Sequence, residues 1–326
     1  MSLSPDQSNQ HGDRMSGLYP RITGRRGQGV VKSAWNLQSI ARIFGLLALV
    51  FCALYLVDLS EVQARLAETS IALLITMVGL HVVIILITSW RFARSFRALG
   101  AALPLRDAIR LTFGATLANL LLPTSVAGDA GRVWGIQQYG ITLKSAVAIG
   151  VFDRVVGVAA LGFVALLGAI IAPSLLPLWG IVGIFGVSAG IVLLLAVFLR
   201  RTKDGSALGD MRIWSLFGET AVLSIAAHLV SIVIAYSFLQ SQPMTVALGA
   251  LFALFPAVLL AASVPISVGG WGSRELAAVG AFSMVGLDAS TAVAMAFMFG
   301  VTQTIAAALG SAGFALKRFF RGAPSD

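Results

Sequence analysis

Charge is what this sequence has least of. Only 11% of its 326 residues are Asp, Glu, Lys or Arg, against about 25% in soluble domains. With 58% hydrophobic residues and a mean hydropathy of +0.90, such a chain belongs in a lipid bilayer rather than in water. Cysteine is nearly absent. The single Cys52 lies inside an apolar run, so no intramolecular disulfide can form. Histidine is scarce too: His11, His81 and His228 are scattered, and with one cysteine they offer no zinc-ligand spacing. No Gly-rich P-loop for a nucleotide is present, and neither metal nor cofactor is expected. Apolar–polar alternation is also missing. The apolar runs are continuous, which excludes the strands of a membrane β-barrel and leaves α-helices.

What charge there is sits in revealing places. The net +9 does not mark a nucleic-acid surface, because Lys and Arg cluster in short segments beside the apolar runs, as topology signals do. Residues 1–38 are polar and Arg-rich and read as a disordered basic cytoplasmic tail; residues 321–326 form a second short tail. Between them, 39–320 reads as one membrane domain. Its apolar segments are 41–57, 71–90, 107–122, 145–171, 178–199, 212–239, 246–264, 272–285 and 290–316. A full crossing needs about 20 residues. The segments at 107–122 and 272–285 are too short, so 107–140 and 246–286 are expected to be re-entrant helical hairpins, with six full spans around them. With both termini in the cytoplasm, that arrangement puts eighteen of the 23 Lys and Arg inside, including Arg91, Arg94 and Arg97.

A repeat gives the same division. Pro123-Thr-Ser-Val-Ala-Gly128-Asp-Ala-Gly-Arg132 matches Pro265-Ile-Ser-Val-Gly-Gly270-Trp-Gly-Ser-Arg274 at five of ten places after a shift of 142. The same shift carries each apolar segment of residues 40–175 onto one of 178–317, with opposite orientation in the membrane. The expected fold is therefore all-α: a polytopic helix bundle built from an inverted-topology repeat. Transporters built this way bind at the midplane, beside broken helices.

Charges at that depth are the candidate site, because each costs about 2.5–3.5 kcal/mol to insert. They are Asp129, Arg132, Asp153, Arg154, Arg274 and Glu275. Arg132 and Arg274 are expected to be paired anion hooks, each following a glycine turn (Gly128, Gly270) that opens a half-helix. Ser125, Ser267 and Arg154 join them as substrate contacts. Asp129, Asp153 and Glu275 are candidates for a proton or ion-pair relay. Asp129 can pair with Arg132 three residues on. Adjacent Asp153–Arg154 and Arg274–Glu275 point about 100° apart, so cross-pairs such as Asp153 with Arg132 and Glu275 with Arg154 are expected. His81 and His228 read as satisfied buried histidines, and Asn119 and Gln303 as interhelical hydrogen-bonding groups. No residue is assigned a catalytic role.

Val264-Pro-Ile-Ser-Val-Gly-Gly-Trp-Gly-Ser-Arg-Glu275 resembles the signature of the lysylphosphatidylglycerol synthase transmembrane, or flippase-like, family. Leu122–Arg132 and Phe152-Asp-Arg-Val-Val-Gly157 are similar to its other two marks, although Gly157 stands where the family often carries an acidic residue. The resemblance covers about residues 40–320 and implies a membrane protein that moves phospholipids between leaflets, without the aminoacyl-transfer domain of some relatives. The expected function is a flippase for an anionic phospholipid or other lipid-linked substrate, in a bacterial inner membrane. Two alternatives stand beside it: an accessory subunit of a separate lipid-modifying or glycosyl-transfer enzyme, and an intramembrane transferase.

Overall fold

The computed structural model describes residues 58–97, 103–122, 127–175, 210–263, 267 and 269–320, together with Gly186 and Gly190. The expected spans at 41–57 and 178–199 and both polar tails lie outside the described residues, as do Pro123–Val126 of the first motif.

Nine α-helices and two 3-10 turns make up the described residues, with no strand among them. Helix α1 (Leu59–Ala67) is opened by Asp58, whose carboxylate accepts the Ser60 amide at 2.9 Å. Helix α2 runs from Ile71 to Arg97, α3 from Leu105 to Leu121 and α4 from Ala127 to Gly135. After a 3-10 turn at Gln137–Tyr139 comes α5 (Leu143–Ile171). The second half repeats the order: α6 (Asp210–Leu239), α7 (Leu248–Ser263), α8 (Ser273–Phe282), a 3-10 turn at Ser283–Val285, and α9 (Ala289–Phe320). Four of these helices, α2, α5, α6 and α9, are long and apolar enough to cross a membrane.

Which side chains face out confirms the solvent. Ile71, Ile75, Val222 and Leu309 are exposed, whereas His81, Ser89, Asp153, Ser224, Arg274 and Thr302 are buried. Apolar outside and polar inside is the distribution that lipid favours.

Helix contacts recur in pairs among the described residues. Helix α5 lies on α7 as α9 lies on α3; α5 lies on α6 as α9 lies on α2; α3–α4 and α7–α8 are antiparallel short pairs; and α2 packs on α6. The register between the halves is not constant, however. Adding 142 to Leu121 reaches Ser263, the matching helix end, but the 3-10 turn at Gln137–Tyr139 reaches that at Ser283–Val285 only with 146. Four residues are thus gained between these two points, and the longer shift holds afterwards. It carries Gly140 (φ 76°) onto Gly286 (φ 73°), and the helix cap Thr142 onto Asp288. The uniform shift of 142 expected from the motif is corrected accordingly.

Close approach at glycine sets the helix crossings. Pro256, inside α7, has no N–H to give the Phe252 carbonyl four residues back. Gly168 of α5 packs onto that stretch of backbone, where a Cβ would stand 2.4 Å from the Phe252 oxygen and 2.3 Å from the Ala253 nitrogen. Neither neighbour is the end of a flexible side chain, so the helices would have to part. Gly168→Ala is expected to lower stability by about 1–3 kcal/mol, measured as a reduced thermal midpoint of the detergent-purified protein.

Candidate functional site

The short helix pairs and the long helices enclose a cavity of about 360 Å³. Its wall carries four arginines, Arg91, Arg132, Arg154 and Arg274, and two aspartates, Asp129 and Asp153. Hydroxyls of Thr88, Thr112 and Ser224 and the His228 ring line it further. The size lies at the small end of the range for ligand sites, which begins at about 300 Å³.

The charges form a ladder. Arg91, from α2, donates from Nη2 to Asp153 Oδ2 at 2.8 Å, with its Nε 2.8 Å from Oδ1, and from Nη1 to Ser224 Oγ at 2.6 Å. Asp153 Oδ2 also stands 4.0 Å from Arg132 Nη2. Arg132 donates to Asp129 Oδ1 at 2.6 Å, and its guanidinium lies 4.8 Å from the Phe92 ring centre. Arg154 grips the other Asp129 oxygen through Nε at 2.9 Å and also through Nη2. Alternating signs over α2, α5 and α4 are what a low-dielectric interior demands, since a lone charge there would be far costlier than a paired one.

The second turn is built differently. Gly269 and Gly270 take φ of 59° and 82°, the left-handed region that glycine enters without strain. Gly269 lies on the last turn of α3: a Cβ there would meet the Leu120 oxygen at 2.5 Å, so the second turn touches the end of α3 at the cavity wall. Arg274, only 1% exposed, gives Nε and Nη2 to Glu275 Oε1 at 3.3 and 3.1 Å. Glu275 Oε2 in turn accepts the Gly272 amide, sealing the start of α8. The first pair seals its corresponding end with Asn119, whose Oδ1 accepts the Gly128 amide at 2.7 Å.

Several expectations change here. Arg132 and Arg274 both line the cavity, but they are not equivalent. Arg274 is the second residue of α8 and Arg132 the sixth of α4, about one helical turn apart, because the match at 142 spans the four-residue lengthening. In the register that follows the turn, Asp129 coincides with Glu275, each in the first turn of its helix. Glu275 pairs with Arg274 and not with Arg154, because two long side chains close the 100° between neighbours by folding toward each other. The Asp129–Arg132 pair is present, and Asp153 approaches Arg132 while binding Arg91. Ser125 lies outside the described residues. Ser267 is buried and bonded to Ser273 Oγ at 2.8 Å, apart from the cavity wall. Gly128 is a packing point, its missing Cβ leaving room for the Ala115 carbonyl. Gly270 packs against Ala262.

Sequence reasoning missed Arg91, placing it in a cytoplasmic loop after Trp90. The helix continues to Arg97, and that continuation keeps Arg91 inside the bundle. His228 is also a wall residue, its Nε2 3.0 Å from the Gly157 carbonyl oxygen. His81 lies against Phe299, with Nδ1 donating to the Met77 carbonyl at 3.0 Å. Among the described residues no cluster of His, Cys, Asp or Glu could hold a metal ion.

Asp153→Asn should be among the most damaging single changes, because it strands the Arg91 charge in the interior. A loss of about 3–5 kcal/mol is expected, read by thermal unfolding in detergent. Adding Arg91→Gln should recover much of it.

No curated protein matches the chain. The family model of the lysylphosphatidylglycerol synthase TM region matches residues 39–310, nearly the whole of the chain that follows the polar tail. The chain therefore belongs to the lysylphosphatidylglycerol synthase transmembrane family.

Proposed function

We propose that the protein is a lipid translocator whose cavity receives the phosphate of an anionic phospholipid, or of another lipid-linked anion, while the acyl tails stay in the bilayer. The observation that carries this is the set of four guanidinium groups on one cavity wall beside two helix breaks. Planar guanidinium forks bind two phosphate oxygens at once, and each Arg held at membrane depth is too costly to keep without a use. Arg132 and Arg154 present the phosphate with the same grip they have on Asp129, and Arg91 and Arg274 complete the field.

In this proposal residues 39–320 form one inverted-topology membrane domain, about 40–175 and 178–317, with α3–α4 and α7–α8 as re-entrant hairpins. The helix contacts that recur in pairs support it, as do the short helices meeting at Gly269 and Leu120. The domain sits in a bacterial inner membrane with both termini in the cytoplasm, where most Lys and Arg then fall. No catalytic step is assigned, and the partner is a membrane lipid.

Reconstitution into vesicles, followed by a head-group-labelled phosphatidylglycerol, tests the proposal. The wild type should move the label between leaflets. The Arg132→Ala/Arg154→Ala variant should do so about 10- to 100-fold more slowly, the loss of one charge-assisted contact being worth about 1.5–3 kcal/mol. Equal rates in a folded variant would remove the head-group role from these arginines. A wild type that moves no lipid but co-purifies with a lipid-modifying or glycosyl-transfer enzyme would make the chain its accessory subunit. Product formation from donor and lipid acceptor by the purified chain would make it a transferase.

A further inference from the structure

Arg274 is the largest fully buried side chain in the molecule's described core, and its surroundings are unlike those of the other cavity arginines. Its guanidinium carbon lies 4.9 Å from the Trp271 ring centre and 5.9 Å from that of Phe299. Glu275 holds two of its nitrogens. The remaining contact is with backbone. The guanidinium lies across position 300 of α9, where a Cβ would stand 2.0 Å from Nη2, 2.7 Å from Cζ and 2.9 Å from Nη1. Those distances leave no room for even one methyl group while Arg274 keeps its place.

We infer that Gly300 is a positioning residue for Arg274: the absent side chain is the seat that fixes this charge in the cavity wall. Glycine inside a helix is worse than alanine by about 1 kcal/mol, so its presence mid-way along a 32-residue helix needs a cause. The other described glycines of α9 do not share that cause. Gly310 faces the Phe113 ring, and Gly313 faces open space. Arg91 also rests on a glycine, but Gly157 meets it at an ordinary contact, a Cβ there standing 3.5 Å from Nη1. Only Gly300, among the described residues, would drive a side-chain carbon into a guanidinium.

The consequence is specific. Arg274 is the flexible party and α9 the rigid one, so a methyl at 300 moves the charge rather than the helix. The cage of Trp271, Phe299 and Glu275 then loses its occupant, and the cavity loses a fixed cation. Gly300 is not one of the residues lining the cavity; it acts through Arg274.

The functional part of this inference rests on the translocator reading, so the experiment carries a readout that does not. The full-length protein is compared as wild type, Gly300→Ala, Arg274→Ala, the double variant and Gly313→Ala. Each is treated with phenylglyoxal, and peptides are mapped for the Arg274 adduct. Wild type and Gly313→Ala should protect Arg274, and Gly300→Ala should raise its modification severalfold. In vesicles of phosphatidylethanolamine and phosphatidylglycerol, Gly300→Ala should slow movement of labelled phosphatidylglycerol. It should add nothing once Arg274 is already alanine.

Thermal midpoints should behave likewise, lowered by Gly300→Ala in the wild type and unchanged or raised by it in the Arg274→Ala background. If Gly300→Ala does not fold, the double variant should still be at least as stable as Arg274→Ala alone, because the clash is gone. Unaltered protection of Arg274 in Gly300→Ala, independent effects in the cycle of variants, or a double variant less stable than Arg274→Ala alone would each overturn the inference. A wild type that moves no lipid while Gly300→Ala still exposes Arg274 would sink the translocator reading and leave the seat standing.

Discussion

The structure depends on how the guanidinium groups along its cavity are neutralised. A charge brought out of water must find an opposite charge within hydrogen-bonding reach, or the fold loses more than its apolar packing supplies. Arg91, Asp153, Arg132, Asp129 and Arg154 meet that constraint together, by alternating along one cavity wall. Because the members come from three helices, the ladder also locates those helices relative to one another. The wall is therefore a structural tie and a polar surface at once.

Arg274 meets the same constraint by local means. Its partner is the next residue, its faces are covered by Trp271 and Phe299, and its bed is the bare backbone of α9. The contrast suits the two turns. The first is sealed by Asn119, reaching from the preceding helix to the Gly128 amide, so it is bound to its neighbour. The second is sealed from within α8 by Glu275. A turn that satisfies itself relies less on the other elements around it.

Much of this was legible in the residues alone, for identifiable reasons. Low charge and unbroken apolar runs gave the membrane class, since both follow from the solvent. The shortness of α3 and α8 was visible because the apolar segments 107–122 and 272–285 fall below the length of a full span. Asp129, Arg132, Asp153, Arg154 and Arg274 were legible as wall residues because charge in an apolar context is rare. Three things were hidden. Arg91 sits at the end of an apolar run, where sequence cannot tell a loop from one more turn of helix. The Arg274–Glu275 pair contradicts helical spacing and forms only because both side chains are long enough to fold together. The register change after the second turn cannot be read from a ten-residue match, since Arg132 and Arg274 coincide in sequence across it. The expected spans at 41–57 and 178–199 and the tails lie beyond the described residues.

That register change separates two residues that the ten-residue match superimposes. One turn of helix is about 5.4 Å. In the register that the helices keep, Arg132 stands four residues beyond Arg274, so the two do not occupy matching positions. Offset by a turn, they stand at different depths in their own short helices, one at the mouth of α8 and one near the far end of α4. The two guanidinium groups thus reach the cavity wall from unlike ends of their helices, and a likeness in sequence has become a difference in placement.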